Sequence, residues 1–401
     1  MISLMVSIDT DWYLSVLDGL EAMHAVWRCS DLAVHTAGEK MLDSTQSKDH
    51  DDEQLSYQVV DFGKPLQLAR RAIAPPQGSE VLVRISACGV CHSDLHMAEG
   101  FFDLGEGRRF GLEKVLKPPR TLGHEMVGTV AAKGSEADCA LGSSVIVFPW
   151  IGCGQCALCA RGDEHLCARP ESLGTTRDGG FSTHVRVPHP KYLLDHSGIG
   201  AQFAATLACS GLTAYSALKK VPNATEKAPL VIIGAGGVGL AAVALAKALH
   251  GLGPIVVDID PAKRQAALDA GASQVVDPTQ TDAAKTLARS TPEGIAAVID
   301  FVGATSTFEF ANAVVGKGGT IVIVGLFGGS ASLQLPCLPM RSISIGGSYV
   351  GSLGEMRELV ELAKKGVLPP LPLSSHQLSD VQSVLDALRS GKVTGRAILQ
   401  Y

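Results

Sequence analysis

The sequence predicts an α/β fold, a doubly wound parallel sheet joined to a second, β-rich domain. Three observations predict it. From about Pro229 onward, short apolar runs alternate with helix-length segments, the pattern of strands joined by crossover helices. Between Ser56 and that point, short β-branched runs are separated by Gly and Pro clusters. A glycine-rich hexapeptide at 234–239 sits between a strand-like run and a helix-like one. At roughly 100–200 residues per domain, a chain of 401 residues makes two or three domains, so unlike halves are expected.

Residues 1–55 stand apart. They carry 11 acidic against 3 basic residues, a net charge of -8, while the remainder is near neutral at +2. They hold Trp12 and Trp27 and end in Lys48-Asp49-His50-Asp51-Asp52-Glu53. This reads as an appended extension with a linker, or as a start codon placed too early. From Ser56, residues 57–60, 80–85, 126–131 and 144–148 read as strands. Residues 230–233 form a short apolar strand, 237–250 an alanine-rich helix, 254–259 a second strand, and 261–271 a helix opened by Pro261. Strands follow at 274–276, 297–302, 320–324 and 342–345. The tail then changes character, with helices at 353–365 and 380–390 and a last strand at 396–400.

Composition narrows the function. A hydrophobic content of 46% with 18% charged residues is that of a soluble globular chain. A net charge of -6 argues against a nucleic-acid partner. No apolar run reaches the roughly 18–20 residues of a membrane helix, and the N-terminus has neither a basic secretory n-region nor the Arg-rich make-up of a transit peptide. A cytoplasmic protein with no membrane partner is expected. The ten cysteines are clustered, which in such a chain reads as metal or redox chemistry before disulfides.

The hexapeptide Gly234-Ala235-Gly236-Gly237-Val238-Gly239 has the strand–turn–helix context that a dinucleotide site requires. Gly234 permits the tight turn, Gly236 lets backbone approach a pyrophosphate, and Gly239 lets helix pack on strand. The helix start offers free N–H groups to phosphate. Asp258 ends the second strand, 19 residues after Gly239. A carboxylate there accepts from ribose hydroxyls and repels a 2′-phosphate, which favours NAD over NADP. Lys263 either reaches the ribose or is simply solvated.

Cys153, Cys156, Cys159 and Cys167 lie within 15 residues, spaced for a closed tetrahedral structural zinc. An iron–sulfur cluster is the rival, but the ferredoxin run has a shorter last gap and a proline where Ala168 stands. A second group is dispersed: Cys91, His124 and Cys209. No spacing rule unites these three. Cys209, in an Ala/Leu run, also reads as core, and Cys88 with Cys91 reads as a metal pair.

From Ser56 onward, the Cys-His-Ser-Asp segment at 91–94, Gly-His-Glu at 123–125, the four-cysteine lobe, the lone Cys209 and the glycine-rich turn occur in an order that resembles the zinc-dependent alcohol dehydrogenases of the medium-chain dehydrogenase/reductase superfamily. The resemblance implies a GroES-like catalytic domain over 56–205 and 346–401 and a Rossmann NAD-binding domain over 206–345. It implies two zinc ions per chain and makes Cys91, His124 and Cys209 the ligands of the catalytic one, the Cys₂His set of alcohol dehydrogenases generally. Since zinc has no redox activity, the electrons leave as hydride to the nicotinamide. Ser93 resembles the family's hydroxyl relay and His96 the outer base that passes the proton to solvent. Asp94 and Glu125 resemble residues that orient the ligands. His92 and Arg396 resemble coenzyme-phosphate contacts, with Arg396 able to pair with Glu125, while Val324 and Gly325 resemble backbone that holds the nicotinamide amide. The implied substrates are small-molecule alcohols, aldehydes or ketones, and the implied assembly is a homo-oligomer, dimer or tetramer.

Two features depart from the family pattern. Cys91 and His124 lie 33 positions apart, with a long loop of extra residues around 101–118 where the substrate entrance is expected. Residues 1–55 have no family counterpart. Trp150 resembles an aromatic wall of the substrate pocket, and together with the long segment it favours apolar or bulky alcohols. Polyol or sugar dehydrogenase activity, zinc-type aldehyde reduction, a zinc-independent quinone or enoyl reductase and a non-enzymatic zinc-lobe protein are the alternatives.

Overall fold

A computed structural model describes residues 53–221, 225, 227–369 and 371–401. Of the expected extension, residues 1–52 lie outside the described residues. Its last three residues do not belong to a linker: they open strand β1 (Glu53–Val59), which pairs antiparallel with β2 (Gln67–Ala72). Gln54 Nε2 donates to Ser182 Oγ and to the His184 carbonyl, both at 2.7 Å, which ties this strand to the fold.

Strand β3 (Val81–Val90) is the axis of the first large sheet. It runs five residues beyond the stretch read as strand at 80–85. Ser86 to Gly89 carry no β-branched side chain, yet they stay extended because neighbouring strands pair with them on both sides. A hairpin of β4 (Phe101–Gly105) and β5 (Arg108–Gly111) occupies the stretch expected to be a long loop. Strand β6 (Arg120–Thr121) pairs with β1, and β7 (Glu125–Lys133) pairs along β3. Strands β8 (Ser144–Val147), β9 (His184–Val187) and β10 (Leu193–Asp195) complete this part of the sheet. Alternate residues of β3 and β7, among them Val81, Val83, Ile85 and Met126, are fully buried and form the core beneath the site.

A continuous helical segment leads out of this half: a helix Ala201–Thr206, a π-helical turn Leu207–Gly211 and a helix Leu212–Leu218. It feeds a parallel sheet of β11 (Leu230–Ile233), β12 (Ile255–Val257), β13 (Gln274–Val276), β14 (Ile295–Asp300), β15 (Val315–Ile323) and β16 (Ser344–Gly347). The spatial order β13-β12-β11-β14-β15-β16 reverses beside β11. In a doubly wound sheet the crevice at the carboxyl ends of strands at that reversal is where ligands bind. Strands β11 and β12 are buried on both faces, hence their unbroken apolar runs. The helix Gly237–His250 covers one face with eight consecutive buried residues from Gly239 to Ala246, and Gly251 ends it in the left-handed region at φ 73°. The chain then returns to the first sheet through β17 (Leu373–Gln377) and β18 (Arg396–Gln400), the latter antiparallel to β3.

Candidate active site and metal centres

Strand β3 delivers Cys91 to the start of the helix His92–Glu99, and β7 begins at Glu125, directly after His124. Because Gly89 pairs with Glu125, the two strand ends converge. A Cβ on residue 89 would lie 1.9 Å from Glu125 Oε2, so glycine makes room for that carboxylate. The π turn brings Cys209 from the other side. One ligand atom each from Cys91, His124, Glu125 and Cys209 lies within 4.8 Å of the others, and all four residues are buried.

Asp94 organises this cluster. Its Oδ2 accepts from the Cys91 N–H at 2.9 Å, and its Oδ1 accepts from the Gly123 N–H at 3.1 Å and faces His124 Nδ1 at 3.1 Å. Nδ1 is thereby held by a carboxylate, and the buried Nε2 has no hydrogen-bond partner among the described residues. An orphaned buried nitrogen between two sulfurs is what a metal ligand looks like before its ion is considered. Burial depresses the His124 pKa, but the Asp94 charge and hydrogen bond outweigh it and leave it well above the usual value. A hydrogen bond from Cys209 holds Cys91 well below the usual thiol range, and the same contact with burial pushes Cys209 up. One thiolate is thus already favoured, and metal binding requires the other cysteine to lose its proton too.

Glu125 stands beside this set without a free charge. Arg396 Nε donates to its Oε2 at 3.0 Å and Nη2 to its Oε1, while the Ser210 N–H, in the π turn, donates to Oε1 at 3.2 Å. Arg396 is only 4% exposed. A Cβ on residue 237 would lie 3.3 Å from Arg396 Nη1, so the guanidinium touches the glycine-rich turn as well as Glu125. The two halves meet at this ion pair.

Cys88 lies elsewhere. It is fully buried against Met126, Gly180 and Tyr401, burial pushes its thiol well up, and it shares no ligand cluster with Cys91. The reading of Cys88 and Cys91 as a metal pair is therefore dropped. Ser93 Oγ lies 3.8 Å from Cys91 Sγ. His96 is half-buried, with His92 and Phe102 as ring neighbours, and burial lowers its pKa. His92 itself is exposed. Trp150 is 3% exposed, with its ring 5.2 Å from His124 and its Nε1 donating to the Ala208 carbonyl at 2.9 Å. Tyr349, which sequence reasoning missed, sits edge-on to Trp150 at 5.9 Å. It lines a cavity of about 680 Å³ together with Val324, Gly325 and Leu326. Nothing local in the sequence marks Tyr349; its place comes from the end of β16.

The second cysteine set, Cys153, Cys156, Cys159 and Cys167, forms its own cluster of ligand atoms. Cys156 Sγ lies 3.5 Å from Cys159 Sγ and 3.7 Å from Cys167 Sγ. Four bonds of about 2.3 Å from a tetrahedral zinc would put sulfurs about 3.8 Å apart, close to these two edges. The Gln155 N–H helps lower Cys153 to about 6. Buried Glu164 braces the lobe: it accepts from Tyr192 Oη at 2.6 Å, Lys191 Nζ at 2.8 Å and the Gly152 N–H at 3.2 Å.

In the glycine-rich turn, Gly234 has φ 90°, a conformation strained for any side chain. A Cβ on Gly239 would meet the Gly234 carbonyl at 1.8 Å, so helix and turn need glycine there. Gly236 faces open space, and Gly237 and Val238 start the helix. Asp258 follows β12, with Oδ2 accepting from the Ala235 N–H at 2.7 Å and Oδ1 from the Asp260 N–H at 2.8 Å. Lys263 is in the first turn of the helix Pro261–Asp269. The N–H groups of Val324 and Gly325 both donate to the Asp300 carbonyl, at 2.8 and 3.0 Å, which leaves only their carbonyls for a ligand amide.

Residues 77–196 match the model of the alcohol dehydrogenase GroES-like domain, and residues 237–365 that of the zinc-binding dehydrogenases. A curated NAD-dependent alcohol dehydrogenase of Sulfurisphaera tokodaii is 37% identical over 346 residues, 86% of this chain and 99% of that one. The chain belongs to the zinc-dependent alcohol dehydrogenase family of the medium-chain dehydrogenase/reductase superfamily. Among solved structures of this family, an alcohol dehydrogenase of Aeropyrum pernix superposes with a TM-score of 0.79 at 31% identity, covering 86% of this chain and all of that one. A D-arabinose dehydrogenase of Sulfolobus solfataricus superposes with a TM-score of 0.74 at 26% identity, covering 87% of this chain and 99% of that one. The medium-chain fold, a GroES-like part and a Rossmann part, is shared throughout.

Proposed function

We propose that this chain is a zinc-dependent alcohol dehydrogenase, transferring hydride between an alcohol and NAD(H), with an aldehyde or ketone as the oxidised partner. One observation carries the reading: the buried Cys91–His124–Cys209 cluster, with its unpartnered Nε2, is joined through Glu125 and Arg396 to the turn at Gly237. When bound, zinc supplies a Lewis acid that acidifies an alcohol or polarises a carbonyl, and NAD supplies the hydride acceptor.

The chain's own residues do the rest. Cys91, His124 and Cys209 would hold the catalytic zinc, and Cys153, Cys156, Cys159 and Cys167 the structural one. Asp94 keeps the His124 imidazole aimed and its Nδ1 protonated. Arg396 neutralises Glu125 so that a buried carboxylate can sit beside two cysteines. Ser93 would relay the proton of a substrate hydroxyl, taking it up as its own hydroxyl proton leaves, and His96 would pass the released proton outward. Gly234, Gly236, Gly237, Val238 and Gly239 would receive the pyrophosphate, with exposed His92 adding a phosphate contact. Asp258 and Lys263 would meet the ribose, and the Val324 and Gly325 carbonyls the nicotinamide amide. We assign residues 56–205 with 346–401 to catalysis and 206–345 to coenzyme binding, adding Glu53–Leu55 to the former. Edge strand β16 and the exposed Leu335 and Met340 favour pairing of copies through the parallel sheet. No helix among the described residues is long and apolar enough to cross a membrane. Thiolate-rich metal sites suit the reducing cytoplasm.

Elemental analysis of dialysed protein with NADH absorbance under a panel of alcohols tests this. Two zinc ions per chain are expected. Cys209→Ser should keep one zinc and the fold while abolishing turnover, and Cys156→Ser should lose the other zinc and stability. Turnover by Cys209→Ser, or iron in place of zinc, overturns the assignment. Polyol or sugar oxidation is the second reading, favoured by the likeness to the D-arabinose dehydrogenase.

A further inference from the structure

The β4–β5 hairpin is anchored at both ends of the site. At its base, Phe102 packs on His96 with ring centroids 5.2 Å apart at 47°. At its tip it meets the segment after β15: the Gly329 N–H points to the Asp103 carbonyl at 3.4 Å, and Ser330 Oγ lies 3.4 Å from Glu106 Oε1. The seam is built on glycine from both sides. A Cβ on Gly105 would lie 2.7 Å from Ser330 N, and one on Gly328 would lie 2.5 Å from the Asp103 carbonyl. Thr305 Oγ1 donates to the Ser330 carbonyl at 2.7 Å and fixes the receiving segment to the parallel-sheet half. On the hairpin itself, Arg109 covers Phe101 at 4.0 Å, and Phe102 pairs with Phe110 across the strands.

We propose that Phe102 is a positioning residue for His96: held by the glycine seam, its ring packs the imidazole in place and screens it from bulk water. This rests on His96 being the outward proton carrier. A carrier must be neutral at the working pH to take a proton up, and its ring must not be free to swing away. The groups bearing on its charge are few. On its own helix His92 lies at 6.4 Å between centroids, Cys91 precedes it, and Glu99 is paired with Arg389 at 3.2 Å. The hairpin carries Asp103, Glu106, Arg108 and Arg109, and the helix Val381–Arg389 carries Asp386, itself paired with Arg389 at 2.6 Å. Burial is the leading cause of the lowered His96 pKa, and Phe102 is an aromatic cover on that ring.

The test is an NMR titration of ring-labelled histidines, with the resonance lost in His96→Gln giving the assignment. Wild type should titrate His96 below the ordinary value of about 6.5. Phe102→Ala should raise it toward that value, and Phe102→Leu, which keeps an apolar cover, should leave it low. Gly105→Ala, which lifts the hairpin tip, should reproduce Phe102→Ala without touching either ring. An unmoved His96 titration in both Phe102→Ala and Gly105→Ala overturns the proposal, and the second variant decides if the first does not fold. The acid limb of kcat/KM should move with the NMR value. If the NMR value moves and the limb does not, the relay role of His96 fails while the packing role stands.

Discussion

Replacing Asp258 should collapse the preference for NAD over NADP. Its two oxygens accept from the Ala235 and Asp260 N–H groups at 2.7 and 2.8 Å, which fixes the charge beside the glycine-rich turn. A carboxylate oxygen has two lone-pair sites, so each can still accept one ribose hydroxyl. Bonds to a charged group contribute about 1.5–3 kcal/mol each. A 2′-phosphate placed about 4 Å from that charge costs about 4 kcal/mol at an effective dielectric near 20. Asp258 is only partly buried, so solvent and salt trim this, and a ratio of roughly 10²–10³ in favour of NAD results. Two cations stand near. Arg264 is committed, donating to the Asp258 carbonyl at 2.8 Å and pairing with Asp277 at 3.3 Å, so only Lys263 can soften the repulsion. The assay is kcat/KM for both coenzymes in wild type, Asp258→Asn and Asp258→Gly, with dissociation constants from coenzyme fluorescence. Asn keeps one acceptor and removes the charge, so it should narrow the ratio about tenfold or more while holding the turn better than Gly. Wild type that uses NADP as well as NAD, or a ratio unmoved in both variants, would refute the reasoning.

Asp94→Ala should lower catalytic zinc affinity by about 10–100-fold, read by chelator competition, because His124 loses the group that holds Nδ1. Glu164→Gln should flatten the acid stability limb. Burial raises the Glu164 pKa, but its bonds from Lys191, Tyr192 and Gly152 outweigh this and lower it overall. Its contribution is therefore full above the unfolded value of about 4.3 and is lost as pH falls through the lower folded value. Urea unfolding of both proteins should show a gap above about pH 5 that closes in more acid solution. A chain beginning at Asp51 should keep kcat/KM within a few-fold of the full protein, whereas one beginning at Ser56 should unfold at lower temperature, having lost the Gln54 bonds to Ser182 and His184.

The sequence by itself determined what is local. The four-cysteine lobe was legible because all four sulfurs fall within 15 residues, and the glycine-rich turn because its glycines answer to the strand before them and the helix after them. Strand–helix alternation likewise declared the doubly wound sheet. The dispersed set was drawn together only through family resemblance. Cys91, His124 and Cys209 become one cluster because β3 and β7 pair at Gly89 and Glu125 and because Cys209 is buried in a π turn packed beside them, and no spacing in the chain encodes either event. Arg396 and Glu125 stand 271 residues apart, and their buried pairing, which joins the last strand to the coenzyme turn, exists only once the chain returns to its first sheet. The stretch at 101–118 reads as a loop in sequence. Its first part, Phe101–Gly111, becomes a hairpin whose Phe102 and Gly105 have partners waiting, His96 and the Gly328–Ser330 backbone, that only the folded chain supplies. Local propensity and ligand spacing act over a few bonds and survive in one dimension; long-range pairing is decided by packing, and so belongs to the tertiary structure.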